Sequence, residues 1–487
     1  MIMAYKTPGV YVEEISTFPP SVAEVETAIP AFIGYTVKAV RNGAKITDPL
    51  KISSLKEYED YFGKAPKANS LVTLKVSEDP LVLKDPAVAD KYKAHAGFKV
   101  EVVAAANKIA YNNMYHSLQI FFANGGGPCY IVSVGEAKGL APAKADLENG
   151  LTQIRNFDEP TLLVAPEAAY LPEADHAAFY QSMIKQAAEL KDRFVIIDTI
   201  YKAAPDVEID KNAFRAKVTG NKEELRYAAA YYPWIKTTAN LWYDDDDLDE
   251  VVFKDAKILT GETLGDLAGN LNSIEATNNI LYQQCKAELE KNLKAVLPPS
   301  SAIAGVYAYV DTTRGVWKAP ANVVLKSVSA PVIQISAAQQ GDLNVDPAGT
   351  KSINAIRSIA GLGISVWGAR TMDGNDKEWK YVNVRRFFNM VEESVQKSTL
   401  WAVFEPNTKN TWVKVKGMIE SYLLTKWIEG ALAGSKPEEA FFVKVGLPET
   451  MSSDDILEGK MIVKIGLAVS RPAEFIILQF THKQQTS

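Results

Sequence analysis

Thr161-Leu-Leu-Val-Ala-Pro166 and Arg193-Phe-Val-Ile-Ile-Asp198 flank residues 173–190 in the middle of the chain. The first and last pieces are short apolar runs of strand length, rich in branched residues. Pro166 closes the first, because proline cannot donate to a sheet ladder. The piece between them, Glu173 to Leu190, reads as a helix. Strand, helix, strand in this rhythm predicts a parallel sheet with helices on its faces.

Working outward, the same pattern recurs. Ile29 to Tyr35 and Cys129-Tyr-Ile-Val-Ser-Val134 read as buried strands, and Arg226 to Trp234 as an aromatic strand. Ser53 to Gly63 reads as a capped helix: Ser53 or Ser54 caps it, Leu55, Tyr58 and Phe62 share a face, and Gly63 stops it. Tyr111 to Phe122 and Ile274 to Leu293 read as helices. The first runs into Asn124-Gly-Gly-Gly-Pro128, which follows a helix and precedes a strand. A phosphate loop needs the reverse order, so the glycines predict a helix C-cap. Residues 64–108 show a weaker pattern and predict a small inserted module. Further on, Ile364 and Val366 mark a strand, Trp379 to Arg386 leads into a helix, Trp401 to Asn407 reads as a strand ending in a turn, Thr411 to Leu432 as a long helix, and Ala440 to Gly446 as a strand.

Both chain ends carry short strand-like runs. Val10 to Ile15, with Val10, Tyr11, Val12 and Ile15, follows the Pro8-Gly9 turn and ends in a Pro-Pro connector. At the other end Met461, Val463, Ile465, Leu467 and Val469 alternate with small or polar residues, the period of a half-buried strand. Pro472 breaks that run, and Phe475, Ile476, Ile477, Leu478 and Phe480 form a second one, apolar on both faces. Such a strand needs cover on both sides. Either it is the last strand of its own sheet, or it is donated to another subunit.

The 487 residues suit about three domains. A hydrophobic share of 47% and a charged share of 23% are ordinary globular values. The net charge of −6 argues against a nucleic-acid binder. Cys129 and Cys285 give no disulfide framework. No apolar run approaches bilayer length, so no membrane insertion is expected. Met1-Ile-Met-Ala-Tyr-Lys6 lacks a signal-peptide core, which predicts synthesis in the cytoplasm and release by lysis or another route.

Candidate chemistry is sparse. Ser300, Ser301 or Ser358 is a conceivable nucleophile, with Asp198 or Asp311 as partner, but a triad needs a positioned histidine. The four histidines are His95, His116, His176 and His482, and none lies in a recognisable catalytic motif. Metal spacing is absent, and the acids at 244–247 lack the calcium-loop pattern. No cofactor, no metal and no enzymatic activity are expected; a hydrolase built on the middle domain is the alternative.

Several motifs then carry a resemblance. They are Tyr5 to Ser16, Phe121-Phe-Ala-Asn-Gly-Gly-Gly127, Tyr232-Pro-Trp-Ile235, Pro298-Pro-Ser300, Ala304-Gly-Val-Tyr307 and Arg314 to Asn322. The most specific are Val366-Trp-Gly-Ala-Arg-Thr371, Val382-Asn-Val-Arg-Arg386, Phe404-Glu-Pro-Asn407, Ala440-Phe-Phe-Val443 and Pro472-Ala-Glu-Phe475. In this order the chain resembles the sheath proteins of contractile phage tails and contractile injection systems. The resemblance implies a structural subunit that polymerises as stacked hexameric rings around an inner tube and contracts to drive the tube through a target envelope. It implies a homo-oligomer, an inner tube protein, and baseplate and terminator or cap proteins as partners. It also implies that both terminal arms donate strands to neighbouring subunits.

The expected fold is a multidomain α/β chain with a sandwich-like middle domain, a compact α/β C-terminal domain and two arms. The expected boundaries are an N-terminal arm at 1–25, an outer and middle domain at 26–45 and 105–350, an inserted module at 46–104, a C-terminal domain at 351–469 and a C-terminal arm at 470–487. In the C-terminal domain the motif residues singled out are Trp367, Arg370, Arg385, Arg386, Glu405 and Asn407. A phage, a bacteriocin-like tail and a toxin injector remain open as the parent particle.

Overall fold

A computed structural model describes residues 21–66, 72–78, 98–104, 111–242, 251–253, 275 and 279–479. The strand–helix–strand stretch forms as its periodicity predicts, and it sits at the centre of a nine-stranded sheet. The strands are β1 (Pro30–Thr36), β2 (Leu50–Ile52), β3 (Cys129–Glu136), β4 (Leu162–Val164), β5 (Phe194–Asp198), β6 (Ala228–Tyr232), β7 (Val323–Val324), β8 (Ile353–Ile359) and β9 (Gly363–Val366). Their order across the sheet is β7-β9-β8-β6-β5-β4-β1-β3-β2. From β8 to β3 every pairing is parallel. Antiparallel strands close both edges: β2 on β3, and β9 with β7 beyond β8.

Side chains alternate across this sheet because a strand has period two. Ala31 and Ile33 of β1 enter one core, with Val195 and Ile197 of β5. Phe32, Phe194 and Ile196 enter the other. On the first face lie α3 (Lys144–Ile154) and α4 (Glu173–Leu190). On the second lie α1 (Leu55–Phe62), α2 (Met114–Ala123) and α5 (Ser300–Arg314). Ser54 caps α1 by accepting from Glu57 N–H, and Gly63 ends it at φ 84°. The glycine triplet after α2 is a helix terminus: Gly126 N–H returns to the carbonyl of Phe121, and Gly125 has φ 101°.

Two placements differ from the sequence reading. Leu50–Ile52 and α1, grouped with the module at 46–104, belong to the main sheet and its second face. Strands β8 and β9, grouped with a C-terminal domain beginning at 351, are strands of the same sheet. Sequence spacing placed the boundaries at pattern changes, whereas hydrogen-bond register assigned the strands. The module itself is a three-stranded sheet in which 72–78 pairs antiparallel with 98–104 and parallel with 251–253. Residues 235–240, 294–297 and 328–331 form a separate antiparallel sheet.

The chain divides into two compact units. The larger is Glu26–Asn389 with Arg471–Ser487, and the smaller is Met1–Val25 with Met390–Ser470. The division falls within a helix, α6 (Val382–Ser398). The smaller unit holds α7 (Lys409–Ile428) and a hairpin of β10 (Phe441–Val445) and β11 (Val463–Leu467). The hairpin is antiparallel from Phe441 opposite Leu467 to Val445 opposite Val463.

Candidate assembly site

The residues after β11 show where the chain is held and where it is released. Ser470 is fixed within the smaller unit: its N–H donates to the carbonyl of Ala431 and its hydroxyl to that of Gly430, both at 3.0 Å. Glu474 is fixed within the larger unit. Its Oε1 accepts from Arg370 Nε at 2.9 Å and Asn344 Nδ2 at 2.7 Å. Its Oε2 accepts from Arg370 Nη2 at 2.6 Å and the Tyr381 hydroxyl at 3.1 Å. Burial pushes the Glu474 carboxyl up, but hydrogen bonds from Arg370 and Asn344 and the Arg370 charge outweigh it and hold the group below its ordinary range.

Immediately beyond Glu474 the chain is open. Phe475, Ile476, Ile477 and Leu478 are 70%, 79%, 81% and 72% exposed, and they form no strand pairing among the described residues. Four consecutive large apolar side chains in water are an uncovered surface, unlike isolated exposed apolar residues. Phe480, and Val10, Tyr11, Val12 and Ile15 of the N-terminal run, lie outside the described residues. The N-terminal segment becomes described at residue 21. There Ala23 N–H donates to Ser398 Oγ and Val25 N–H to Ser394 Oγ, each at 3.1 Å, and Glu24 pairs with Lys426.

The hairpin β10–β11 is a two-stranded sheet among the described residues. Two strands alone are marginal in water. One side is partly covered, through the Leu432–Val469 bridge and the bond from Ala433 N–H to the carbonyl of Ala468. Phe442 on β10 is half exposed.

The motif residues fall into three groups. Arg370 is the clamp of Glu474, and Arg370 is itself fixed, since its N–H donates to Asn354 Oδ1 at 2.8 Å and Nη1 reaches the carbonyls of Asn344 and Gly374. Trp367 contributes backbone bonds, to the carbonyl of Ala355 and from Gln340 Nε2. Arg385 is buried among the rings of Trp379, Tyr227 and Phe388, and Nε donates to Asn389 Oδ1 at 2.8 Å. Arg386 forks onto Asp311, at 3.0 Å to Oδ1 and 2.5 Å to Oδ2, above the Tyr307 ring. In the smaller unit Asn407 accepts from Trp412 Nε1 at 2.7 Å and donates to the carbonyl of Lys460 at 2.9 Å. Glu405 is exposed and its N–H closes a turn onto Ala402.

The strand predicted over 401–407 does not form. Leu400–Ala402 is a single 3₁₀ turn, Phe404 sits at φ 68° fully exposed, and Pro406 interrupts the donors. Successive turn bonds, Val403 to Leu400 and Glu405 to Ala402, take the backbone groups a strand would need.

The candidate catalytic residues are not assembled into a triad among the described residues. Ser300 and Ser301 are buried at the start of α5, where Ser300 N–H donates to Asp198 Oδ1 at 2.8 Å. Asp198 therefore caps a helix, and burial pushes it up to about 7. His176 Nε2 donates to the carbonyl of Asp198 at 2.9 Å, so it does not face a serine hydroxyl, and burial drops it to about 4. Asp311 is the partner of Arg386, and Ser358 is an exposed residue of β8. Sequence reasoning missed Glu167. It is buried in the larger unit, accepts from Tyr35 N–H at 2.8 Å and Asn113 N–H at 3.1 Å, and is pushed up to about 8 by burial against those donors. Pro166-Glu-Ala-Ala-Tyr170 carries no periodic signal that could have found it.

Among the described residues no helix is long and apolar enough to cross a membrane. Residues 374–483 match the family model described as phage tail sheath C-terminal domain. The chain is 23% identical over 188 residues to a tail sheath protein of Vibrio phage KVP40, and 26% identical over 181 residues to a putative prophage major tail sheath protein of Pseudomonas aeruginosa strain UCBPP-PA14. These matches take in 38% and 36% of this chain and 26% and 44% of the respective relatives, so the chain spans under half of their length. Two solved sheath structures match over nearly the whole chain. The helical sheath of the anti-feeding prophage in its contracted state is 30% identical, with 99% of this chain and 100% of that one covered and a TM-score of 0.63. The contracted sheath complex of the extracellular contractile injection system PVC is 30% identical, with 99% of each chain covered and a TM-score of 0.61. The full-length likeness, the matched C-terminal domain and the motif series agree: the chain belongs to the contractile tail sheath family and has a structural sheath role.

Proposed function

We propose that this chain is the sheath subunit of an extracellular contractile injection system. It stacks as hexameric rings around an inner tube protein, is bounded by a baseplate and a terminator or cap protein, and contracts to drive the tube through a target envelope. The observation that carries this reading is the run Phe475–Leu478, exposed and without a strand partner among the described residues. A strand of another subunit's sheet gives those backbone and side-chain groups the cover they lack, and the hairpin β10–β11, two strands among the described residues, can take a further strand at an edge. The injector is preferred over a phage tail because the likeness to the anti-feeding prophage and PVC sheaths spans the whole chain, whereas the likeness to phage sheaths covers about a third of it. Related chains also occur in the anti-feeding prophage baseplate, which supports a baseplate partner here.

Co-expression with the neighbouring tube gene, followed by electron microscopy, tests the reading. The expected result is tubes of six-fold symmetry. Removing 1–20, or everything after Ser470, is expected to abolish them while circular dichroism stays that of a folded chain. A monodisperse monomer at high concentration, with intact termini and tube protein present, would overturn the proposal.

A further inference from the structure

We infer that Glu474 is the root of the C-terminal arm, a positioning residue that fixes where the donated segment begins and so how far it can reach. The inference rests on the strand-donating sheath reading above.

The boundary between held and free chain falls between two adjacent residues. Glu474 has both carboxylate oxygens filled by donors from three separate segments: Asn344 at a helix end, Arg370 after β9, and Tyr381 before α6. Arg370 and Tyr381 are themselves bridged backbone to backbone, so the donors are preset. Charge-assisted, two-pronged pairs of this kind fix direction as well as distance. Phe475, the next residue, is already 70% exposed. Between Ser470 and Glu474, Arg471 and Ala473 are exposed and Pro472 is half-buried, so the pin is the side chain of Glu474.

Without that side chain the last fixed point moves back to Ser470. Four more residues join the leash, which adds roughly 13 Å of reach at about 3.3 Å per extended residue. A donated strand delivered with that slack no longer arrives at one position on its neighbour. Register in a sheet is set residue by residue, and a slip of one residue turns every side chain to the opposite face.

Three variants of the full chain, co-expressed with tube protein, test this. Glu474→Ala removes the pin. Three Gly-Ser-type residues inserted after Glu474 add slack beyond an intact pin. The same three residues inserted after Arg471 add slack that the pin absorbs. Circular dichroism on the unassembled chains checks folding, and helical reconstruction from electron micrographs reads the fraction of tube length that fits the parent's rise and twist. The expected result is a several-fold loss of ordered tube length for Glu474→Ala and for the insertion after Glu474, with the insertion after Arg471 matching the parent. If Glu474→Ala fails to fold, the two insertions alone decide. Equal behaviour of the two insertions, or parental tubes from Glu474→Ala, overturns the inference while leaving the sheath reading intact. A parent chain that forms no tubes overturns both.

Discussion

Arg386 and Asp311 form a buried, two-pronged ion pair, with the arginine side chain 3% and the aspartate 7% exposed. The aspartate also accepts from the Thr27 hydroxyl at 2.6 Å, and Arg386 donates to the Thr27 carbonyl at 2.9 Å. Three distant pieces of the larger unit, the segment before β1, the end of α5 and the start of α6, are thereby tied at one point. An acid that sequence reasoning could place beside a nucleophile is instead a structural knot.

Asp311→Ala leaves a guanidinium buried without its counter-ion. Breaking one partner of a buried pair costs about 3–5 kcal/mol. The remaining carbonyl contact and the Tyr307 ring place this site at the lower end. Urea unfolding of the unassembled subunit checks it, and a change of only a few tenths would show that the knot is dispensable.

Gly305→Ala and Gly417→Ala should move stability in opposite directions. A Cβ on Gly305 would lie 2.5 Å from the carbonyl oxygen of Phe121 and 2.9 Å from Asn124 Cβ, where α5 crosses α2. Forcing a methyl into that backbone contact costs about 1–3 kcal/mol. Gly417, inside α7, has open space around its Cβ position, and alanine there gains up to about 1 kcal/mol of helix propensity. Thermal melts of the two variants against the parent read both signs.

The Glu474 clamp should weaken in acid. Its carboxyl lies below the ordinary range in the folded chain, so its stabilisation is present above the unfolded value and is lost as pH falls through the folded one. The stability gap between the parent and Glu474→Gln should therefore be widest near neutrality and shrink as pH falls through the ordinary carboxylate range and below it. A gap that stays constant over this range would mean that the charge on Glu474 contributes nothing.

Truncation directly after Glu474 keeps the clamp and removes the exposed apolar run. The subunit should melt within about 0.5 kcal/mol of the parent, because the described residues removed, 475–479, are exposed. It should be more soluble and form no tubes. Dye binding to exposed apolar surface should fall with it. Normal tubes from this truncation would show that 475–487 is not a donated strand.

Much of this was legible in the sequence. The central strands and α4 follow from local period, and the cap of α1 and the glycine terminus of α2 follow from residue chemistry over a few positions. Such signals are set by neighbours in the chain, so the chain alone carries them. The motif series points to the sheath family from the sequence alone, and the apolar run at 475–480 reads as needing cover. What the sequence could not supply were partners far apart along it. Arg370 and Glu474 are 104 residues apart, and Asp311 and Arg386 are 75 apart. The assignment of β2, β8 and β9 to the large sheet, the turn at Phe404 in place of a strand, and the boundary between held and free chain at Glu474 likewise depended on the tertiary structure. Local pattern states what a segment can form; only closure of the fold decides which donors meet which acceptors, and which apolar run is left uncovered.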